Sequence, residues 1–207
     1  MTTADIRRVL ERAEPGPRKA HKRHVMESAL DCFEREGLDA ATIEQIRAKA
    51  ASSIGSIYHH FGNKDGLVAA LFFAAMDDEA ALTAARLEQV ADAHAAVEAV
   101  ISTYLGWVSE QPRLARFLFR ARAAVAAGPF GDALRERNRV KHAPMRHWLA
   151  RGIEDGTIRH LPKETYVPLL IGQSETYCRA WLSERVKGKP SDHAALFAEA
   201  AWKAIAA

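Results

Sequence analysis

Residues 42–62 read TIEQIRAKAASSIGSIYHHFG and hold two helical signals with only a short turn between them. Each is too short to persist alone in water, where helices below about 12 residues are marginal. They must therefore be held by packing. Thr42, followed three positions later by Gln45, is a capping box: the threonine oxygen takes a backbone N–H, and the glutamine reaches back to the cap. Ile43, Ile46 and Ala50 face inward from this first helix. Ser53 caps the second helix, Ile57 and Phe61 share its inner face, and Gly62 ends it.

A longer helix is predicted before them, from Pro17 to Glu36, with Val25, Ala29, Leu30 and Phe33 as its stripe and Gly37 as its stop. One longer helix and two short ones predict a helix-turn-helix. Beyond it, apolar residues recur at three and four, and no strand-like alternation interrupts them. The fold class expected is all-α, with about nine helices. Asn63 caps a long helix from Lys64 to about Val90. Others run over 92–110, from Pro112, over 130–155 with a kink at Pro144, over 162–187, and from Ser191 to the end. Residues 1–16, ending in EPGP, are expected to be a flexible arm, 17–62 the head and 63–207 a helical body.

The outward face of the second short helix carries the chemistry. Ser53, Ser56, His59 and His60 point away from the isoleucine and phenylalanine, with Tyr58 at one edge and no acidic residue among them. Gly55 lets a partner approach the backbone closely. Compact donors and acceptors of this kind bond phosphate oxygens and base edges. The second helix of such a motif enters the major groove of duplex DNA. Arg18, Lys19, Lys22 and Arg23 open the preceding helix, and Lys64 starts the next, where backbone N–H groups also favour an anion. These are candidate phosphate clamps. Ile54 is ambiguous: its spacing to Ile57 and Phe61 suggests core, while its place in the motif turns it toward a groove, where it would meet a thymine methyl.

Several function classes are set aside. A net charge of +3 does not by itself argue for nucleic acid. Cys32 and Cys178 lie far apart and read as inert core thiols in a reducing, cytoplasmic setting. No apolar run is long enough to cross a membrane, and residues 1–19 have no signal-peptide core. The pairs His59/His60, His142/His147 and His21/His24 have no third ligand at metal spacing, so neither metal nor cofactor is expected. No nucleophile motif, phosphate loop or carboxylate pair marks an enzyme.

The stretch TIEQIRAKAASSIGSIYHHFGNKDGL, residues 42–67, resembles the DNA-binding motif of TetR-type transcriptional regulators. Thr42, Ile43, Ile46, Ala50, Ser53, Gly55, Ile57, Tyr58, His60, Phe61, Lys64 and Leu67 match in register. The resemblance implies phosphate contacts for Thr42, Tyr58, His60 and Lys64, and places Ile54, Gly55, Ser56 and His59 near base edges. Two positions depart from the pattern. Ala51 stands where the family has a glycine turn, at an expected cost of about 1 kcal/mol. Ser52 replaces an apolar residue, so a core contact is lost or exchanged for a hydroxyl bond.

The resemblance further implies a body that binds a small effector and a two-fold homodimer on a palindromic operator. Trp107, Phe117, His147 and Trp148 are candidate pocket residues. Leu169, Leu170, Gly172, Gln173, Tyr177, Trp181, Phe197 and Trp202, on the last two helices, are candidates for a four-helix dimer interface. Dense packing within one chain also accounts for these apolar residues, and a DNA-binding dimer without effector is the alternative reading.

Overall fold

The computed structural model describes residues 4–207, with side chains from Ile6 onward. Its helices are α1 (Ala4–Ala13), α2 (Ala20–Glu36), α3 (Ile43–Lys49), α4 (Ile54–Phe61), α5 (Lys64–Leu87), α6 (Ala93–Glu110), α7 (Pro112–Ala127), α8 (Gly131–Lys141), α9 (Ala143–Glu154), α10 (Tyr166–Leu182) and α11 (Ala194–Ile205). Single 3-10 turns precede α2, α10 and α11. No strand forms among the described residues; Ile158 and Ala206 make an isolated antiparallel bridge. The all-α class is therefore as expected.

Two expectations need correction. The described part of the presumed arm contains a helix, α1, and residues 1–3 lie outside the described residues. Ile6, Val9 and Leu10 recur at helical spacing and are almost fully buried. Arg7 bonds Glu27 of α2 at 3.1 Å, and Arg12 bonds Asp78 of α5 at 2.5 Å. The turn behind α1 is held by Arg23, whose guanidinium donates to the carbonyls of Glu14 (2.7 Å) and Gly16 (2.8 Å). The second correction concerns 130–155, which is two helices rather than one kinked helix. Pro144 has no N–H to give to the preceding turn, and the break falls at His142, the cap of α9.

The chain folds as two compact units. The first takes in the described residues up to Asp78 together with Arg113–Arg137; the second holds Glu79–Pro112 and Asn138–Ala207. In the first, Phe33 of α2 stacks on Phe117 of α7, with ring centroids 5.7 Å apart. Around that stack Arg113 of α7 bonds Asp31 and Glu34 of α2. Burial opposes ionisation of Asp31, but hydrogen bonds from Arg113 and Lys49 outweigh it and hold the carboxyl below its ordinary range. In the second unit α6 packs on α9, α10 and α11. Val97, Ile101 and Leu105 of α6 are fully buried there, as is Ile205 of α11. Within it Lys141 pairs with the buried Glu79, which also accepts from Thr83 at 2.9 Å.

Both cysteines are free and buried. Burial pushes the Cys178 thiol up to about 12, so it stays protonated at neutral pH. Among the described residues no helix is long and apolar enough to cross a membrane.

Candidate nucleic-acid interface

The two short helices form as their caps dictate. The Thr42 hydroxyl accepts from the Gln45 N–H (3.2 Å), and the Gln45 side-chain carbonyl accepts from the Thr42 N–H (2.8 Å), closing the capping box on α3. Ser53 Oγ accepts from the Ser56 N–H at 3.0 Å and starts α4. Gly62, at φ 74°, ends α4, and its N–H donates to the Tyr58 carbonyl. Asn63 Oδ1 then accepts from the Gly66 N–H at 2.8 Å to start α5. At Gly66 a Cβ would lie 1.8 Å from the Phe61 carbonyl oxygen, so only glycine permits this close junction of α4 with α5.

Between α3 and α4 the turn passes through Ala51 at φ 46°, a left-handed conformation that costs an alanine about 1 kcal/mol. Ser52 is buried, at 9 % exposure. Its hydroxyl lies 3.0 Å from His21 Nε2, so of the two expected outcomes the core contact is exchanged for a hydroxyl bond, here to α2.

Ile46, Ile57 and Phe61 anchor α3 and α4 from beneath. The opposite face of α4 is open. Ile54 is 45 % exposed and Tyr58 50 % exposed, so Ile54 is outside the core. Ser53, Gly55, His59 and His60 are exposed, while Ser56 is half-buried. A Cβ at Gly55 would meet nothing nearer than Ser53 Oγ at 4.0 Å, so the protein itself gives no packing reason for glycine there. Burial first, then the neighbouring charges of His59, His21, Lys22 and Lys19, holds the His60 imidazole below its ordinary range. The His59 and His60 rings lie 5.2 Å apart, and His21 lies 6.3 Å from His60.

The expected clamps are not equally available. Thr42 is exposed, although its hydroxyl serves the cap. Lys22 pairs with Glu14 and Arg23 with backbone carbonyls, whereas Lys19 keeps a half-exposed side chain 3.6 Å from Glu14. Lys64 is half-buried, and its Nζ donates to the Asp39 carbonyl at 2.8 Å. An ammonium has three donors, so one such bond leaves two for an anion.

The candidate pocket and interface residues are placed differently from one another. Phe117 belongs to the core of the first unit, on Phe33. Trp107, His147 and Trp148 belong to the second: Trp107 is buried, His147 is exposed and its ring lies 5.9 Å from that of Trp148. A cleft of about 270 Å³ opens in the first unit, lined by Asp65 and Val68 of α5, Val125 of α7 and the Gly128–Phe130 loop; it includes none of the four. On α10 and α11, Leu169, Gly172, Tyr177, Trp181, Phe197 and Trp202 are half-buried and Gln173 is exposed, with open space beside Gly172. Leu170 is 5 % exposed and belongs to the core of its own unit, a correction to its place on an open face. Tyr177 bonds the Gly188 carbonyl at 3.0 Å and packs on Phe197, and Trp202 packs edge-on against His94.

Sequence reasoning missed the links that reach α4 from elsewhere. His21 Nε2 touches Ser56 Oγ (3.1 Å) as well as Ser52, and no local pattern announces either pairing.

Comparison with known proteins bears on the same region. Residues 25–71 match the family model described as bacterial regulatory proteins, tetR family. A stretch of 77 residues is 34 % identical to the HTH-type transcriptional repressor AcnR of Corynebacterium glutamicum, covering 37 % of this chain and 37 % of that protein. The match thus spans little more than a third of that relative's length. The fold as a whole is similar to a TetR family transcription regulator from Marinobacter aquaeolei VT8, with a TM-score of 0.77 at 18 % identity over 91 % of this chain and 97 % of that one. It is also similar to the transcriptional regulator FadR from Bacillus subtilis, solved in complex with stearoyl-CoA, with a TM-score of 0.74 at 17 % identity over 88 % of this chain and 98 % of that one.

Proposed function

We propose that the chain, whose residues 25–71 match the family model of bacterial regulatory proteins, tetR family, is a sequence-specific DNA-binding transcriptional regulator acting as a repressor. The observation that carries this reading is the open face of α4. It presents Ile54, Tyr58, His59 and His60 to solvent around a glycine that the protein's own packing does not require. Glycine within a helix costs about 1 kcal/mol relative to alanine. An approaching duplex supplies the compensation that the protein's interior does not. DNA reading is assigned to residues 17–62 with Lys64 just beyond them: Thr42, Tyr58, His60, Lys64 and Lys19 on phosphates and Ile54, Gly55, Ser56 and His59 near base edges.

Residues 63–207 are assigned to dimerisation and effector binding. The protein acts as a homodimer in the cytoplasm, each head on one half of a palindromic operator, because protein symmetry is mirrored in the site. The exposed and half-buried residues of α10 and α11 around Gly172, Gln173 and Trp181 supply the interface. A small molecule bound in the body, near Trp107, His147 and Trp148, releases the DNA. The fold likeness to FadR, solved with stearoyl-CoA, supports an effector of some kind without naming it. A coupling of ~1–3 kcal/mol weakens DNA binding roughly 5–150-fold, and linkage demands the same loss of effector affinity on DNA.

Selection of bound duplexes from a random pool tests the core of the reading. A recovered palindrome is expected. Recovery of no sequence would refute DNA reading, and a site without two-fold symmetry would refute the dimer. Once an effector is in hand, equal affinity for it with and without operator would refute the coupled mechanism.

A further inference from the structure

The imidazole of His21 sits where two serines of the turn and α4 converge. Its Nε2 lies 3.0 Å from Ser52 Oγ and 3.1 Å from Ser56 Oγ. Ser52 is buried, and its hydroxyl has a second acceptor in the Ser53 carbonyl at 3.4 Å. Ser56 is half-buried on the rim of the open face. Resting on the DNA-binding reading, we propose that His21 is a positioning residue that sets whether Ser56 offers a base a hydrogen-bond acceptor or a donor, so that sequence preference at one base pair depends on pH.

The effect follows from a count of protons. A neutral imidazole carries one N–H and one acceptor nitrogen, whereas an imidazolium carries two N–H groups. When Nε2 is the acceptor it draws the Ser56 O–H toward itself. The serine lone pairs then face the groove and suit the amino groups of adenine or cytosine. When the ring is protonated, Nε2–H donates to the serine oxygens. Ser52 turns its proton to the Ser53 carbonyl, and Ser56 O–H is released outward, toward the oxygens of guanine or thymine. Histidine is the side chain whose charge ordinarily changes between pH 5 and 8. The His60 ring of α4 lies 6.3 Å from that of His21, and the charges of His21, His59, Lys22 and Lys19 converge on His60, with Glu14 paired to both lysines. Among these the His21 ring is the one in hydrogen-bond contact with Ser56.

Duplex selection with the full chain at about pH 6 and about pH 8 reads the effect. At one position in each half-site, the ratio of amino-bearing to oxygen-bearing bases should change roughly fivefold, the worth of one hydrogen bond. In His21→Gln, which keeps a polar group but does not titrate, that ratio should be the same at both pH values. Ser56→Ala should lose the preference at both. A wild-type site identical at the two pH values overturns the proposal and leaves DNA binding intact. A shift retained in His21→Gln also overturns it and passes the role to His59 or His60. No recovered site at either pH overturns the proposal together with the reading beneath it. Long-range proton–nitrogen spectra of the free chain give a check independent of DNA: at pH 8 the His21 proton should be on Nδ1, and finding it on Nε2 would overturn the proposal.

Discussion

Replacing Gly55 with alanine should make the protein more stable and a poorer DNA binder. Glycine in a helix is less favourable than alanine by up to about 1 kcal/mol, because its unfolded state is freer. The new methyl group meets no obstacle, since the nearest atom to an added Cβ is Ser53 Oγ at 4.0 Å. Gly55 lies in the first turn of an eight-residue helix, so a gain of about 0.5–1 kcal/mol is expected. That raises the melting temperature by roughly 1–4 °C in a chain of this size. On DNA the same methyl must displace either the helix or a base edge, and such overpacking costs about 1–3 kcal/mol, or roughly fivefold in affinity at the lower end. Thermal melting followed by circular dichroism measures the first effect, and titration of a labelled duplex measures the second. A less stable variant would mean that the space beside Gly55 is filled. A variant that binds the operator as tightly as its parent would mean that no backbone approaches there, and would remove the main support for DNA reading by α4.

Ala51→Gly should stabilise the head by about 1 kcal/mol, because it relieves a positive φ of 46°; an unchanged denaturation midpoint would place the strain elsewhere. Lys64→Ala should lower the slope of log affinity against log salt by about one unit, and an unchanged slope would confine Lys64 to fastening the Asp39 carbonyl. The depressed pKa of Asp31 gives a pH dependence of definite sign. Its pairing contributes stability above the ordinary carboxyl range near 3.8, and that contribution is lost as pH falls through the lower folded value. Arg113→Ala should therefore cost about 1 kcal/mol at pH 7, after allowance for the partial exposure of the pair, and less near pH 3. Urea midpoints at the two pH values measure this, and an equal loss at both would assign the effect to packing rather than charge.

What the sequence discloses here is mostly local. Thr42 with Gln45, Ser53, Gly62 and Asn63 each mark a helix end, and each signal spans four residues or fewer. The exposure of Tyr58, His59 and His60 follows from the spacing of Ile57 and Phe61, whereas Ile54, which that spacing would bury, is exposed. The misses have distance in common. Among the described residues of α1 only Ile6, Val9 and Leu10 are buried, and its ties to the rest include Arg7 and Arg12 reaching Glu27 and Asp78, far off in sequence. His21 reads only as half of a His21/His24 pair lacking a third ligand until the fold sets it against serines 31 and 35 positions away. Gly66 resembles any small helical residue until the Phe61 carbonyl appears beneath it. Pro144 announces a disturbance, but whether a proline bends or severs a helix depends on how the flanking segments pack.

The stacking of Phe33 on Phe117 bears on any attempt to transplant this reading head. A fragment ending at residue 62, or even at Asp78, would leave α2 with a bare aromatic ring. It would also leave the carboxylates of Asp31 and Glu34 without the guanidinium that answers them. A chimera meant to carry this specificity to another body must bring a counterpart of Arg113–Arg137 with it. The portable module is thus discontinuous in the gene, and swapping it cleanly requires three splices, after Asp78 and on either side of Arg113–Arg137, rather than one.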